Sequence, residues 1–160
     1  LDMGTGSGLS ALVAARAGAD VVAVDVNPKA VECGRENAMR NGLADHITFV
    51  VGDLFDGLDG VFDLIIFDPP FRWFEPRDLL ERSHADAGYR SLMRFMEQAP
   101  RWLRPRGRIL MNFGTSGDFE YLQELINRSG LIADISRYGE ATKFGFTAEY
   151  YLIRLSKSTA

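Results

Sequence analysis

LDMGTGSGLSALVAARAGADVVAVD, residues 1–25, sets a pattern that recurs along the rest of the chain. Leu1 and Asp2 close an apolar strand, glycines at 4, 6 and 8 break it, and a small apolar run over 10–17 reads as a helix stopping at Gly18. Residues 21–24 are β-branched and small, and the run ends on Asp25. Strand, tight loop, helix and strand make the repeating unit of a parallel sheet, because parallel neighbours need a crossover that a helix supplies. Asn27-Pro28 then reads as a helix cap followed by proline at the first helical position. Ala30, Val31, Gly34 and Ala38 mark that helix's inner face, and Asn41-Gly42 ends it. The spacing predicts strands over 47–51, ending at Gly52-Asp53, and over 61–67, ending at Asp68-Pro69-Pro70-Phe71.

After a long polar segment, Leu92, Phe95, Met96, Ala99 and Leu103 predict a helix over 89–103. Arg104-Pro105-Arg106-Gly107 suits a type I turn, with proline second and glycine fourth. A strand over 108–113, a helix over 118–129 and strands over 132–138 and 147–155 complete the chain. This alternation predicts an α/β, doubly wound, Rossmann-like and mostly parallel sheet. The link over 139–146 has no room for a crossover helix, so the final strand is expected to be reversed in an antiparallel hairpin. No repeat or linker divides the sequence, and residues 1–160 read as one domain. A central strand of two residues is too short, which implies a truncated first strand and further residues upstream in the intact protein.

The 160 residues carry a net charge of −4, which leaves no overall basic footprint for nucleic acid. Cys33 is the single cysteine and reads as a partly buried small apolar residue on the second helix, so a disulfide framework and a cysteine metal cluster are both excluded. His46 and His84 stand far apart, and no metal site is expected. No apolar run approaches the roughly 20 residues that span a bilayer. No signal-peptide pattern is visible, and a reducing, cytoplasmic setting is the expectation.

Ligands of such sheets bind beyond the carboxyl ends of the strands. Four strand ends carry an acid: Asp2, Asp25, Asp53 and Asp68. Gly4-Thr5-Gly6-Ser7-Gly8 lets backbone approach a ligand, or serves only as a tight strand–helix turn. Gly6 to Ala11 also fits the G-x-G-x-x-A dinucleotide fingerprint, with Asp25 about twenty residues onward. Asp25, followed by Val26, is placed to accept both hydroxyls of a ribose; the alternative is a solvated strand-end acid. Asp53 is placed to accept from an adenine amino group, with the Leu54 N–H offered to the ring, or else it caps the turn that follows.

Taken in order, Leu1-Asp2-Met3-Gly4-Thr5-Gly6-Ser7-Gly8, Val24-Asp25, Gly52-Asp53-Leu54 and Asp68-Pro69-Pro70-Phe71 resemble the class I S-adenosylmethionine-dependent methyltransferases. The resemblance is to the N-methylating branch with an (N/D)-P-P-(Y/F) motif, and it extends over nearly the whole chain. It implies S-adenosyl-L-methionine as cofactor. Asp2, Gly4, Thr5, Gly6 and Gly8 would then lie at its amino-acid end, Asp25 and Val26 at its ribose, and Asp53 and Leu54 at its adenine.

The proline corner fits that chemistry. An amide or nucleobase nitrogen is a poor nucleophile, because its lone pair is delocalised into the adjoining π system. A pair of acceptors aimed at its NH2 favours a pyramidal nitrogen as the new bond forms. Pro69 and Pro70 make a stiff frame without a competing N–H. The Asp68 carboxylate and the Pro69 carbonyl are expected to accept the two hydrogens, with Phe71 flat against the planar group. Stacking of that kind is worth about 1–3 kcal/mol per base.

The stretch from Gly88 to Gly107 looks like the corresponding part of release-factor glutamine methyltransferases (HemK/PrmC type). That group carries Asn-Pro-Pro-Tyr, whereas Asp and Phe stand here. DPP(F/Y) is more usual in enzymes acting on exocyclic base amines, whose target is flipped from its stack. Asp also lacks a donor for a glutamine carbonyl. The acceptor therefore stays open between a nucleobase of rRNA, tRNA or DNA, a glutamine of a release factor or ribosomal protein, and a small-molecule amine. Two other readings compete: an NAD-dependent oxidoreductase on a Rossmann fold, for which no Tyr-x-x-x-Lys is present, and a non-catalytic methyltransferase-fold interaction module.

Among weaker features, residues 72–88 are a candidate lid, with Trp73 and Phe74 either lining it or packing it down. His84, near Glu81 and Asp86, reads as an exposed polar residue before a general base. Arg101, Arg104, Arg106 and Arg108 read as solvated surface, with phosphate contact as the alternative.

Overall fold

The computed structural model describes residues 1–72, 74–78, 81, 84–143 and 145–158, which form two compact units, Leu1–Asp59 and Gly60–Ala160. The fold class is α/β, mostly parallel with an antiparallel strand near the end, as the alternation of elements predicts.

The first unit holds β1 (Asp2–Met3), α1 (Leu9–Arg16), β2 (Val21–Asp25), α2 (Pro28–Arg40) and β3 (Ile47–Val51). Its strands run parallel with β2 in the middle, pairing Asp2 with Ala23 and Val21 with Ile47. The helices close over a core that includes Ala11, Ala15, Val31, Ala38 and Phe49. Val31 and Ala38 are among the inner-face positions that the sequence marks on α2, of which Ala30 is only half-buried; Ala11 and Ala15 are small residues of α1 that allow close approach, and Phe49 comes from β3. α2 starts where expected: the Asn27 side chain accepts from Lys29 N at 3.0 Å and Pro28 follows it.

The second unit holds β4 (Phe62–Phe67), α3 (Arg90–Trp102), β5 (Leu103–Gly114), α4 (Phe119–Ser129), β6 (Leu131–Lys143) and β7 (Phe146–Lys157). β4 is parallel to β5, and β7 lies antiparallel to both β5 and β6. Leu92, Phe95, Met96 and Ala99 of α3 are all buried, and the Phe95 ring tilts against Phe67 of β4 at 4.3 Å between ring centroids. Asp118 caps α4 by accepting from Tyr121 N at 2.9 Å, one residue before the helix proper.

Two boundaries differ from the sequence reading. The expected turn over 104–107 lies within β5, where pairing jumps from Phe62–Leu103 to Leu64–Arg108. The four intervening residues bulge from the ladder, and Gly107 packs so closely that a Cβ there would lie 2.8 Å from the Phe62 carbonyl oxygen. The final hairpin is also longer than expected. Residues 139–143, read as loop, continue β6, and pairing reaches Lys143–Phe146. Their polar side chains hid the strand. The ribbon there is held by backbone hydrogen bonds and by a 2.8 Å contact between the hydroxyls of Thr142 and Thr147.

Candidate active site

Within the first unit, the acids at the strand ends meet the glycine loop. Asp25, at the end of β2, accepts from Gly6 N and Asn27 N at 2.9 Å each, one through each carboxylate oxygen. An ionised carboxylate has about four lone-pair sites, so both oxygens keep capacity for a further donor. Thr5 N donates to the Val24 carbonyl at 2.8 Å, and Asn37 of α2 donates to the Ser7 carbonyl at 2.9 Å. The loop is thus pinned to β2 on one side and to α2 on the other.

Gly4, Gly6 and Gly8 all have positive φ, which side-chain-bearing residues rarely adopt. They differ in what surrounds them. A Cβ on Gly8 would lie 3.3 Å from the Cα of Gly34 and 3.6 Å from the Phe49 ring, so Gly8 packs the loop onto α2. A Cβ on Gly6 would meet nothing within 4 Å. Gly6 therefore offers bare backbone to an approaching ligand.

Asp2 is only 4 % exposed. It accepts from the Thr5 hydroxyl at 2.6 Å and from Ala11 N at 3.0 Å, both at the same oxygen. It fastens the loop to the first turn of α1. Burial pushes its carboxyl above the ordinary range, against the lowering effect of those two hydrogen bonds. Val26 is exposed beside Asp25. Asp53 is half-buried beyond β3, and Gly52 N donates to the Asp25 carbonyl at 3.0 Å, which ties the two strand ends together. Leu54 has a φ of 56°, a left-handed conformation costly for a branched side chain, and its buried side chain anchors it. Strain of that kind collects where backbone must present a group in a fixed direction.

Within the second unit, β4 ends at the proline corner. Asp68 is exposed, Pro69 buried, and Pro70 and Phe71 half-buried. The Phe71 ring tilts against Phe113 of β5 at 5.1 Å, and its carbonyl accepts from the Tyr89 hydroxyl at 3.2 Å. The same hydroxyl accepts from Asp118 N at 2.7 Å, so Tyr89 ties the corner's backbone to the start of α4. Past the corner, Arg72 N donates to the His84 carbonyl and Asp86 N to the Arg72 carbonyl. Phe74 is exposed, and Trp73 lies outside the described residues.

Two residues not singled out from the sequence stand at the corner. Asn112 of β5 donates its side-chain N–H to Asp68 at 2.9 Å and accepts from the Tyr138 hydroxyl at 2.6 Å. The signal was a lone polar residue inside Ile109-Leu110-Met111-Asn112-Phe113, an otherwise apolar strand.

The weaker candidates resolve simply. His84 is exposed, as expected, while its acidic neighbours are engaged elsewhere: Asp86 is buried and accepts from Ser91 N and Leu92 N at the start of α3, and Glu81 pairs with Arg77. Cys33 is exposed, correcting the expectation of partial burial, because it faces away from the side of α2 that carries Val31, Gly34 and Ala38. Arg101, Arg104, Arg106 and Arg108 are all exposed, with Arg104 3.4 Å from Asp63. No helix is long and apolar enough to cross a membrane, and no group of three metal-binding side chains occurs among the described residues.

Three comparisons bear on this arrangement. The chain is 36 % identical over 131 residues to the release factor glutamine methyltransferase of Nitratidesulfovibrio vulgaris, matching 71 % of this chain and 44 % of that one. It is 33 % identical over 131 residues to the ribosomal protein uL3 glutamine methyltransferase of Neisseria meningitidis, matching 74 % and 43 % respectively. The chain thus spans less than half the length of these relatives. The crystal structure of a methyltransferase from Pyrococcus furiosus superposes with a TM-score of 0.68 at 22 % identity, covering 99 % of this chain and 75 % of that one. The methyltransferase small domain model matches residues 1–138, so the strand-end acids, the glycine loop and the proline corner all lie within the match, and the chain belongs to the methyltransferase small domain family.

Proposed function

We propose that the chain is the catalytic domain of an S-adenosylmethionine-dependent N-methyltransferase acting on the side-chain amide nitrogen of a protein glutamine. The observation that carries this is the exposed, acceptor-only carboxylate of Asp68 on a corner of two prolines, beside a half-buried Phe71, in a member of this family. The similarity to two glutamine methyltransferases favours a carboxamide over a nucleobase.

The first unit fits the cofactor. Asp25 keeps acceptor capacity for two ribose hydroxyls, Gly6 offers bare backbone, and the fixed Leu54 backbone turns beside Asp53. Asp2 and Thr5 hold the loop from beneath, and Gly4, Gly8 and Val26 complete its rim. When bound, S-adenosylmethionine would supply the methyl group, its sulfur keeping the electron pair of the C–S bond while the amide nitrogen's lone pair forms the new N–C bond. Asp68 and the Pro69 carbonyl accept hydrogen bonds from the NH2, which localises the lone pair. Asp68 takes the proton that nitrogen sheds and, being exposed, passes it to water. Phe71 holds the amide plane against rotation. Nothing in this scheme requires a metal or a strong base.

The test is incubation of the intact protein with radiolabelled S-adenosylmethionine and separate protein, RNA and DNA fractions. Label is expected in protein, as N-methylglutamine after hydrolysis to amino acids by protease. Label confined to RNA or DNA would make the acceptor a nucleobase. Binding of NADH without S-adenosylhomocysteine would return the dinucleotide reading. Asp68→Ala should abolish transfer while leaving S-adenosylhomocysteine affinity within a few fold, roughly as expected of a group acting only on the acceptor. Joint loss of binding and transfer would place Asp68 in the wrong role.

A further inference from the structure

Asp68 alone leaves a carboxamide half-recognised: its oxygens accept from the NH2, but an ionised carboxylate has no hydrogen to give the carbonyl oxygen. The missing donor stands 2.9 Å away, on Asn112. The chemistry of the pair fixes which way that amide faces. A carboxylate needs a donor, so the NH2 end of Asn112 is the end at Asp68, and its oxygen takes the Tyr138 hydroxyl hydrogen at 2.6 Å. Tyr138 can serve as donor throughout the neutral range, since burial first and the Asp68 charge second push its phenol above the ordinary value.

Asn112 is half-buried, on the face of β5 that also carries Leu110 and opposite the exposed Leu152 of β7, while Met111 and Phe113 lie on the other face of the strand. Both ends of its amide are bonded, and one NH2 hydrogen remains beyond the one given to Asp68.

We propose that Asn112, oriented by Tyr138, is the donor half of the acceptor site: one amide hydrogen holds Asp68 and the other meets the carbonyl oxygen of the incoming carboxamide. Acceptor and donor then stand side by side, complementary to the NH2 and C=O of a primary amide. This rests on the transfer reading above, and it explains how an Asp-Pro-Pro corner serves a substrate for which aspartate by itself is poorly suited. One oxygen of Asp68 is held, and the other is left for the nitrogen.

The experiment uses the intact protein with the protein fraction labelled by the wild type as acceptor. Asn112→Leu, similar in volume and without polar atoms, should lower kcat/KM roughly ten- to hundredfold, with S-adenosylhomocysteine affinity unchanged within twofold. Asn112→Asp sets two carboxylates at hydrogen-bond distance, and such a pair shares one proton. The other polar groups about it are Tyr138 from β6 and, from β7, Tyr150 and Arg154, the last paired with Asp134 at 2.7 Å. Its transfer rate should fall as pH rises through a step absent from the wild type, because the shared proton, and with it the hydrogen that the carboxyl pair can offer the substrate carbonyl, is lost. Tyr138→Phe should give a partial loss of kcat/KM, smaller than that of Asn112→Leu.

A readout independent of turnover accompanies these: the Asn112 side-chain amide resonances should move in both Asp68→Ala and Tyr138→Phe. Wild-type transfer unaffected by Asn112→Leu, or an Asn112→Asp variant with the wild-type pH profile, overturns this assignment alone. Absence of any transfer by the wild type overturns the reading beneath it, and this assignment with it. Amide resonances indifferent to both neighbours would mean that the bonds to Asp68 and Tyr138 are not made.

Discussion

Asp2 shows how a residue can belong to a site by holding it. Its carboxylate looks from the sequence like one of four equivalent strand-end acids, yet it is buried, with the Thr5 hydroxyl and Ala11 N as donors, while Asp25 and Asp68 remain open to further partners. Because burial raises its folded-state pKa, the folded protein binds this proton more tightly than the unfolded chain does. Its contribution to stability therefore falls as pH rises from the ordinary aspartate range through the raised folded value, and above both the full cost of burying the charge is present. Asp2→Asn keeps an oxygen for both donors and removes that cost. The expected outcome is a stability-versus-pH curve flatter than the wild type across this acid window, measured by urea denaturation. Asp2→Ala leaves two buried donors without a partner and should cost about 1–3 kcal/mol. Equal slopes for wild type and Asp2→Asn would show that the carboxyl is not perturbed by burial.

At the scale of elements, the first unit turns on a contact that neither α2 nor β3 specifies alone. Gly34 on the inner face of α2 lies against Phe49 of β3, where a Cβ would come within 2.5 Å of the ring, and Gly8 rests on the same pair. Alanine at 34 gains about 1 kcal/mol of helix propensity over glycine. Overpacking a filled core costs about 1–3 kcal/mol, and the ring cannot retreat freely because it also lies close to Gly8, where a Cβ would come within 3.6 Å of it. The core term wins. Gly34→Ala is expected to destabilise by roughly 1 kcal/mol despite its better propensity, and to weaken S-adenosylhomocysteine binding by disturbing the glycine loop. Thermal denaturation and a binding titration check both parts; a stabilised variant would show that α2 can move off the sheet. In the second unit, local pattern served α3 well, since its buried residues recur at helical spacing. It failed for the end of β6, where both faces are exposed and no alternation marks the strand.

At the scale of the whole chain, charge separates the acceptor classes. A net charge of −4 provides no general attraction for phosphates, and of the four exposed arginines near the β5 bulge, Arg104 already faces Asp63 at 3.4 Å. A protein making several phosphate contacts loses about 10³–10⁵ in affinity between 50 and 200 mM salt. Transfer to a protein acceptor is expected to change by less than about tenfold over that range, and a steep log–log loss would instead point to nucleic acid. Much of the architecture was legible beforehand because it is written in short-range terms. Hydrophobic period, the Asn27-Pro28 cap, glycines at turns and an acid at each strand end depend on residues a few positions apart, and together they determined the element order, the parallel character of the sheet and the candidate positions from Asp2 to Phe71. What those positions do depended on partners distant along the chain. Asn112 reaches Asp68 across 44 residues and Tyr138 reaches Asn112 across 26, contacts created by the order and register of strands rather than by any local pattern. Only the tertiary structure could decide that one strand-end acid is sealed beneath its loop, that another stands open beside an amide donor, and that Asp86 is occupied in capping α3. The physical reason is that burial and hydrogen-bond partnership belong to the packed molecule, whereas propensity and periodicity belong to the chain.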